Sequence, residues 1–131
     1  MRRAGWLIFL LGVLLLPHQA WAARWLYGQY TPVLKNNNTT DAQTDTTLWD
    51  PAADYRFVLQ GCAISADATE TVQFEVSDVD VIPPIYLAAN TSVLVGGGSA
   101  PVYVGAIDAI LTYTTTTSAN TSVVCWGWED S

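Results

Sequence analysis

Thr71-Val72-Gln73-Phe74-Glu75-Val76-Ser77 alternates apolar and polar side chains without a break. Val72, Phe74 and Val76 fall on one side of an extended chain, and Gln73 and Glu75 on the other, a period of two residues that belongs to a strand. One side of this segment meets a core and the other meets water, as in an antiparallel sheet.

The flanking sequence extends the same reading. Asp78 and Asp80 follow the strand, and Pro83-Pro84 then lacks the N–H groups a ladder needs, which predicts a break before a short strand at 85–88. A further short strand is expected at 92–95, closed by Gly96-Gly97-Gly98. Residues 102–113 are the longest apolar run, interrupted only by Asp108, and predict a core strand with a bulge at Gly105-Ala106. Upstream, Trp49-Asp50-Pro51 marks a turn before a central strand at 55–64 that holds Cys62. Residues 36–47 are rich in Asn, Thr and Asp, with Ala42 as the one apolar residue, and read as a loop or arm. Residues 24–34 offer a first extended stretch, and 121–128 a last strand carrying Cys125, with Glu129-Asp130-Ser131 as a solvated tail. β-Branched and aromatic residues dominate each apolar run, while good helix formers are scarce. The expected fold is all-β: one antiparallel β-sandwich or jelly-roll-like domain over 23–131.

The first residues have the pattern of a cleavable signal peptide, residues 1–22. Arg2 and Arg3 precede the apolar run 6–16, and Ala20-Trp21-Ala22 supplies small residues around a cut before Ala23. Eleven apolar residues fall short of the ~20 that a spanning helix requires. The expectation is therefore export to the periplasm, cell surface or medium, with no membrane span. Cleavage removes His18, the one histidine, and leaves 131 − 22 = 109 residues with three basic and twelve acidic side chains, a net charge of 3 − 12 = −9. Such a charge repels nucleic-acid phosphates and anionic lipid surfaces, so neither is an expected partner. In an oxidising compartment Cys62 and Cys125 are expected to form one disulfide, the alternative being two separately buried thiols. Closing a loop of this length stabilises a fold by ~4 kcal/mol in the chain-entropy model.

Without an imidazole, the mature chain cannot build a Ser-His-Asp or Cys-His nucleophile, and no serine lies in a Gly-x-Ser-x-Gly elbow. Transition-metal sites lose their commonest ligand in the same way, so no metal or cofactor is expected. Asp78, Asp80 and Asp108 are the carboxylates that acid–base chemistry or calcium would draw on, against the plainer reading of Asp in solvated turns. Asp108, inside an apolar run, would need a partner such as Arg56 if buried. The expectation is a protein that is not an enzyme.

Aromatic residues are the most suggestive feature. Trp25, Tyr27, Tyr30, Trp49, Trp126 and Trp128 exceed the needs of a small core, and Trp and Tyr serve both as interface anchors and as stacking surfaces for sugar rings. The competing explanation is packing at the ends of the sandwich and beside the disulfide. Trp126 and Trp128 alternate about Gly127 and so point to one side of the last strand. Trp126, Trp128, Trp49, Trp25 and Tyr27 are the candidate binding residues. Asn37, Asn38, Asn90 and Asn120 open Asn-x-Ser/Thr sequons, which accept glycans in a eukaryotic secretory route.

Val72-Gln73-Phe74-Glu75-Val76, the Ile82-Pro83 step, and the Thr-rich turn 114–119 leading into Val123-Val124-Cys125-Trp126-Gly127 together resemble small β-sandwich proteins encoded by tailed phages, of the head-decoration or head-fibre type. The resemblance covers about half of the mature chain and implies a role in particle assembly. The export segment and the cysteine pair depart from that pattern. Two functions are thus expected in order: a structural or interaction module that presents aromatic residues for self-assembly or for a cell-surface partner, and a carbohydrate-binding module.

Overall fold

The structure is a computed structural model and describes residues 32–131. The expected signal peptide, Trp25 and Tyr27 lie outside the described residues. Nine strands follow in order: β1 (Pro32–Thr39), β2 (Thr46–Trp49), β3 (Arg56–Ala66), β4 (Glu70–Val76), β5 (Val79–Leu87), β6 (Thr91–Gly96), β7 (Tyr103–Val104), β8 (Leu111–Thr115) and β9 (Thr121–Asp130). They form two antiparallel sheets. One is ordered β1-β9-β3-β6, with β7 also paired to β3, and the other β2-β8-β4-β5. The chain is all-β among the described residues, as its composition predicts.

The alternation in the opening heptapeptide decides which side of the second sheet is buried. Val72 and Phe74 are fully enclosed, together with Leu111, Tyr113, Ile82 and Leu87 from the strands beside them. The first sheet answers with Phe57, Leu59, Cys62, Ile64, Val123 and Cys125, and these two sets form one apolar cluster. Burying a side chain such as Phe57 or Leu59 contributes about 1.5–3 kcal/mol, so this shared cluster is what joins the two sheets. Cys62 and Cys125 sit directly opposite each other on β3 and β9 and form the expected disulfide. The bridge is cross-strand within one sheet and closes the 63-residue separation between the two central strands.

Four local expectations are corrected. Residues 36–39, read as loop, complete β1, where Asn36, Asn37, Asn38 and Thr39 pair with β9 from Val124 to Thr121. An edge strand needs only backbone partners on one side, so polar side chains are compatible with it. Pro83-Pro84 does not end a strand, because β5 runs through both residues. It lies at the sheet edge, and its register against β4 shifts between Val72 and Phe74, so the missing N–H groups fall where no ladder bond is required. The run 102–113 is two strands separated by a loop. Gly105 turns away after β7 with its N–H donating to the Phe57 carbonyl, and β8 begins in the other sheet. The tail is also not free in solvent: β9 continues to Asp130, and Glu129 and Asp130 are half-buried.

Candidate functional site

Residues directly opposite across a ladder share a face, so the register defines the outer surface of the five-stranded sheet row by row. Pro32, Trp128, Val58 and Val104 make one row from β1 through β9 and β3 to β7. Leu34, Trp126, Gly61 and Gly96 make the next, Asn36, Val124, Ala63 and Leu94 the third, and Asn38, Ser122, Ser65 and Ser92 the fourth. The surface grades from apolar at the first row to polar at the fourth. Leu34 and Leu94 are each 66% exposed, and Val104 is exposed as well. Trp126, Trp128 and Val124 are half-buried between them.

Trp126 is placed by glycines. A Cβ built on Gly61 would lie 2.6 Å from the Trp126 Cζ2, and one on Gly97 3.6 Å from the same atom. The indole therefore extends from β9 over the backbone of β3 towards the turn after β6, a path that any larger residue at 61 would obstruct. Gly97 has φ +84°, and the turn is held by its N–H donating to the Gln60 carbonyl and by Gln60 Nε2 donating to the Gly98 carbonyl at 2.5 Å. Gly127, between the two tryptophans, faces the other way and presses on the Val58 carbonyl, leaving no room for a side chain.

None of the four rows carries a charged side chain. At the end beyond Trp128, Arg56 pairs with Asp130, Nη2 to Oδ2 at 2.6 Å, so those two charges offset each other. Asp108 is not the partner of Arg56. It sits in a turn with φ 58°, and its Oδ1 accepts from the Asp54 N–H at 2.8 Å. Asp78 lies in the turn between β4 and β5, and Asp80 follows on β5 paired with Glu75. Among the described residues no group of three or more His, Cys, Asp or Glu side chains is arranged to hold a metal ion.

Trp49, read as a candidate binding residue, is fully enclosed in the core beside Phe57, with ring centroids 5.7 Å apart. Its Nε1 donates to Glu129 Oε1 at 3.0 Å. Trp126 and Trp128 do share one face, and the structure surrounds them with apolar neighbours from four other strands. Sequence reasoning missed those neighbours, since Leu34, Ala63, Leu94 and Val104 meet only through sheet register.

Two acidic groups outside this face are strongly held. Glu70, fully buried, accepts from Thr71 N, Thr116 N and Oγ1, and Thr117 N and Oγ1. Burial is the largest single influence and opposes its ionisation, but the combined bonds from Thr117, Thr116 and Thr71 outweigh it and hold the carboxyl below its ordinary range. Asp67 is likewise lowered, chiefly by the side-chain bond from Asn120 and then by the Asn120 N–H. A shallow groove of about 230 Å³ at the polar end is lined by Asn38, Thr39, Thr40, Asn120, Thr121 and Ser122, which brings two of the sequons together. No family model, curated protein or solved structure matches this chain.

Proposed function

We propose that this protein is a non-enzymatic extracytoplasmic interaction module whose binding surface is the outer face of the five-stranded sheet. One observation carries the reading: Trp126, Trp128, Leu34, Val124, Leu94 and Val104 form a continuous uncharged apolar surface on an otherwise acidic chain. Tryptophan supported by apolar neighbours is the usual anchor of a protein interface. The cross-strand disulfide supports export, because such bridges persist in oxidising compartments. Among the described residues no helix is long and apolar enough to cross a membrane.

The strand orders β1-β9-β3-β6 and β2-β8-β4-β5 support a jelly roll. The chain alternates between the sheets at β1, β2 and β3, doubles back through the β4–β5 hairpin, and returns symmetrically through β6, β8 and β9. That path is two Greek keys wound together, an architecture used by both virion and lectin domains. The fold analogy agrees with an assembly role like that of the phage head-decoration or head-fibre proteins which the sequence resembles, and the choice between roles rests on the surface.

Hydrophobic-interaction chromatography tests the surface. Val124→Glu places a charge in the middle of the third row and is expected to elute well before the unaltered protein, whereas Tyr86→Ser, on the other sheet, removes one isolated exposed ring and moves elution little. Equal retention of Val124→Glu and the unaltered protein would falsify the reading.

Carbohydrate binding is the second reading, favoured by the position of Trp126 over Gly61, which supports one side of the indole as a stacking platform. Tryptophan emission that stays constant as polysaccharides are titrated in would dispose of it.

A further inference from the structure

We infer that the occupant of this apolar face is a second copy of the same chain, docked sheet to sheet about a two-fold axis parallel to the strands; the inference rests on the interaction surface proposed above. The distribution of bulk points to self-complementarity. β1 and β9 carry Leu34 and Trp126 in the second row and β9 carries Val124 in the third, while β3 and β6 oppose the first two with Gly61 and Gly96, and β3 opposes Val124 with Ala63. An axis running between β9 and β3 sets each row against its own reverse. Leu34 then meets Gly96, Val124 meets Ala63, and Pro32 meets Val104. Trp126, which reaches over Gly61 to the middle of the face, meets its own counterpart near the axis. In the two middle rows Leu34 falls on Gly96 and Val124 on Ala63, large on small as an isologous contact favours, while Trp128 falls on Val58 and Asn36 on Leu94.

Charge selects the same occupant. All twelve acidic residues lie within 41–130, and none belongs to the four rows, which are bordered by the neutral Arg56–Asp130 pair at one end and by Asp67, bonded to Asn120, at the other. Two copies of a strongly acidic protein repel each other over most approaches, and this face brings no carboxylate against another. Polar rows also match, since Asn38 and Ser122 would lie against Ser92 and Ser65 of the other copy.

The size of the patch sets the strength. Four rows along the strands and four strands across cover roughly 20 Å by 15 Å. That is on the order of 300–400 Å² per copy, below the ~800 Å² of a standard stable interface, so the contact belongs to the weak class. Association with a dissociation constant of about 0.1–1 mM is expected for the isolated protein. Such a contact is effective where copies are held at high local concentration.

Sedimentation equilibrium of the purified protein up to ~1 mM, at ~0.02 M and ~0.5 M salt, tests the inference. A reversible monomer–dimer equilibrium that tightens about threefold or more at the higher salt is expected, because screening removes the long-range repulsion and leaves apolar burial intact. Val124→Glu abolishes the dimer, and Tyr86→Glu on the other sheet leaves it unchanged. Circular dichroism of both variants guards against loss of fold. A wild-type monomer at every concentration overturns the inference, as does a dimer that survives Val124→Glu. If Val124→Glu still loses retention on the hydrophobic matrix while the wild type is monomeric, the face binds a different partner and only the second copy is excluded; unchanged retention removes both readings.

Discussion

The Trp49 indole N–H donates to the Glu129 carboxylate, and so joins the fully buried end of β2 in one sheet to the last turn of ladder in the other. Glu129 also accepts from the Ala52 N–H at 3.2 Å, fixing the turn that follows Trp49. Glu129→Ala leaves a buried indole donor unsatisfied and is expected to cost about 1–3 kcal/mol, whereas Glu129→Gln retains an acceptor and costs less. Urea unfolding of the two variants checks this, and equal midpoints would show that the bond contributes nothing.

Glu70 sets an acid limit on stability. Its folded pKa is depressed below the ordinary value of 4.5, because the bonds from Thr117, Thr116 and Thr71 more than offset the opposition of burial. A depressed acid contributes stability that is fully present above the unfolded pKa and is lost as pH falls through the folded value. The contribution of Glu70 to stability is therefore expected to decline as pH falls below about 4.5. Glu70→Gln costs about 1–3 kcal/mol at neutral pH and flattens that limb. Asp67, lowered chiefly by the Asn120 side chain, retains a dependence of the same sign in the variant. A Glu70→Gln protein with an unaltered acid limb would refute the assignment.

The strand at 70–76, the disulfide and the shared face of Trp126 and Trp128 were legible because each depends on local alternation or on a residue type with one dominant chemistry. What escaped the sequence depends on position in the sheets. Asn36–Thr39 looks like a loop until β9 supplies backbone partners, and Pro83-Pro84 looks like a break unless its strand is known to be an edge. The apolar run 102–113 hides a change of sheet, since Gly105 to Ile110 is as apolar as a strand yet crosses between layers. Trp49 and Trp126 are the same residue type with opposite roles, one in the core and one on the surface, and no local pattern separates them. The Thr114–Thr117 run gave no hint of Glu70, because a carboxylate cradle formed across 46 and 47 residues leaves no periodic trace.

Tyr113 is fully buried on β8, and no protein group among the described residues bonds its hydroxyl. Burial raises its pKa above the ordinary value of 10.0. A raised acid contributes stability that is lost as pH rises past the unfolded value, so the protein is expected to weaken above about pH 10. Tyr113→Phe removes an unsatisfied polar atom and keeps the ring, which predicts a gain of about 1 kcal/mol at neutral pH and a flatter alkaline limb. Thermal denaturation at pH 7 and pH 10.5 separates the two effects, and a destabilised variant would reveal a hydrogen bond to this hydroxyl.

Ser77 and Asp78 form the two-residue connection between β4 and β5, with φ values of 51° and 61° and Val76 paired to Val79 across it. Both residues occupy the left-handed region, the conformation of the hairpin turn whose twist matches its strands, and at the second position glycine is the preferred residue. Asp78→Gly is expected to stabilise the protein by about 0.5 kcal/mol, the relief of left-handed strain exceeding the added freedom of the unfolded chain. The same substitution removes a carboxylate that sequence reading considered for acid–base or calcium chemistry. If Asp78 held calcium, added calcium would raise the urea midpoint of the unaltered protein and leave that of the variant where it was. A midpoint raised by the substitution and indifferent to calcium in both proteins places Asp78 in the turn alone, as its left-handed conformation implies.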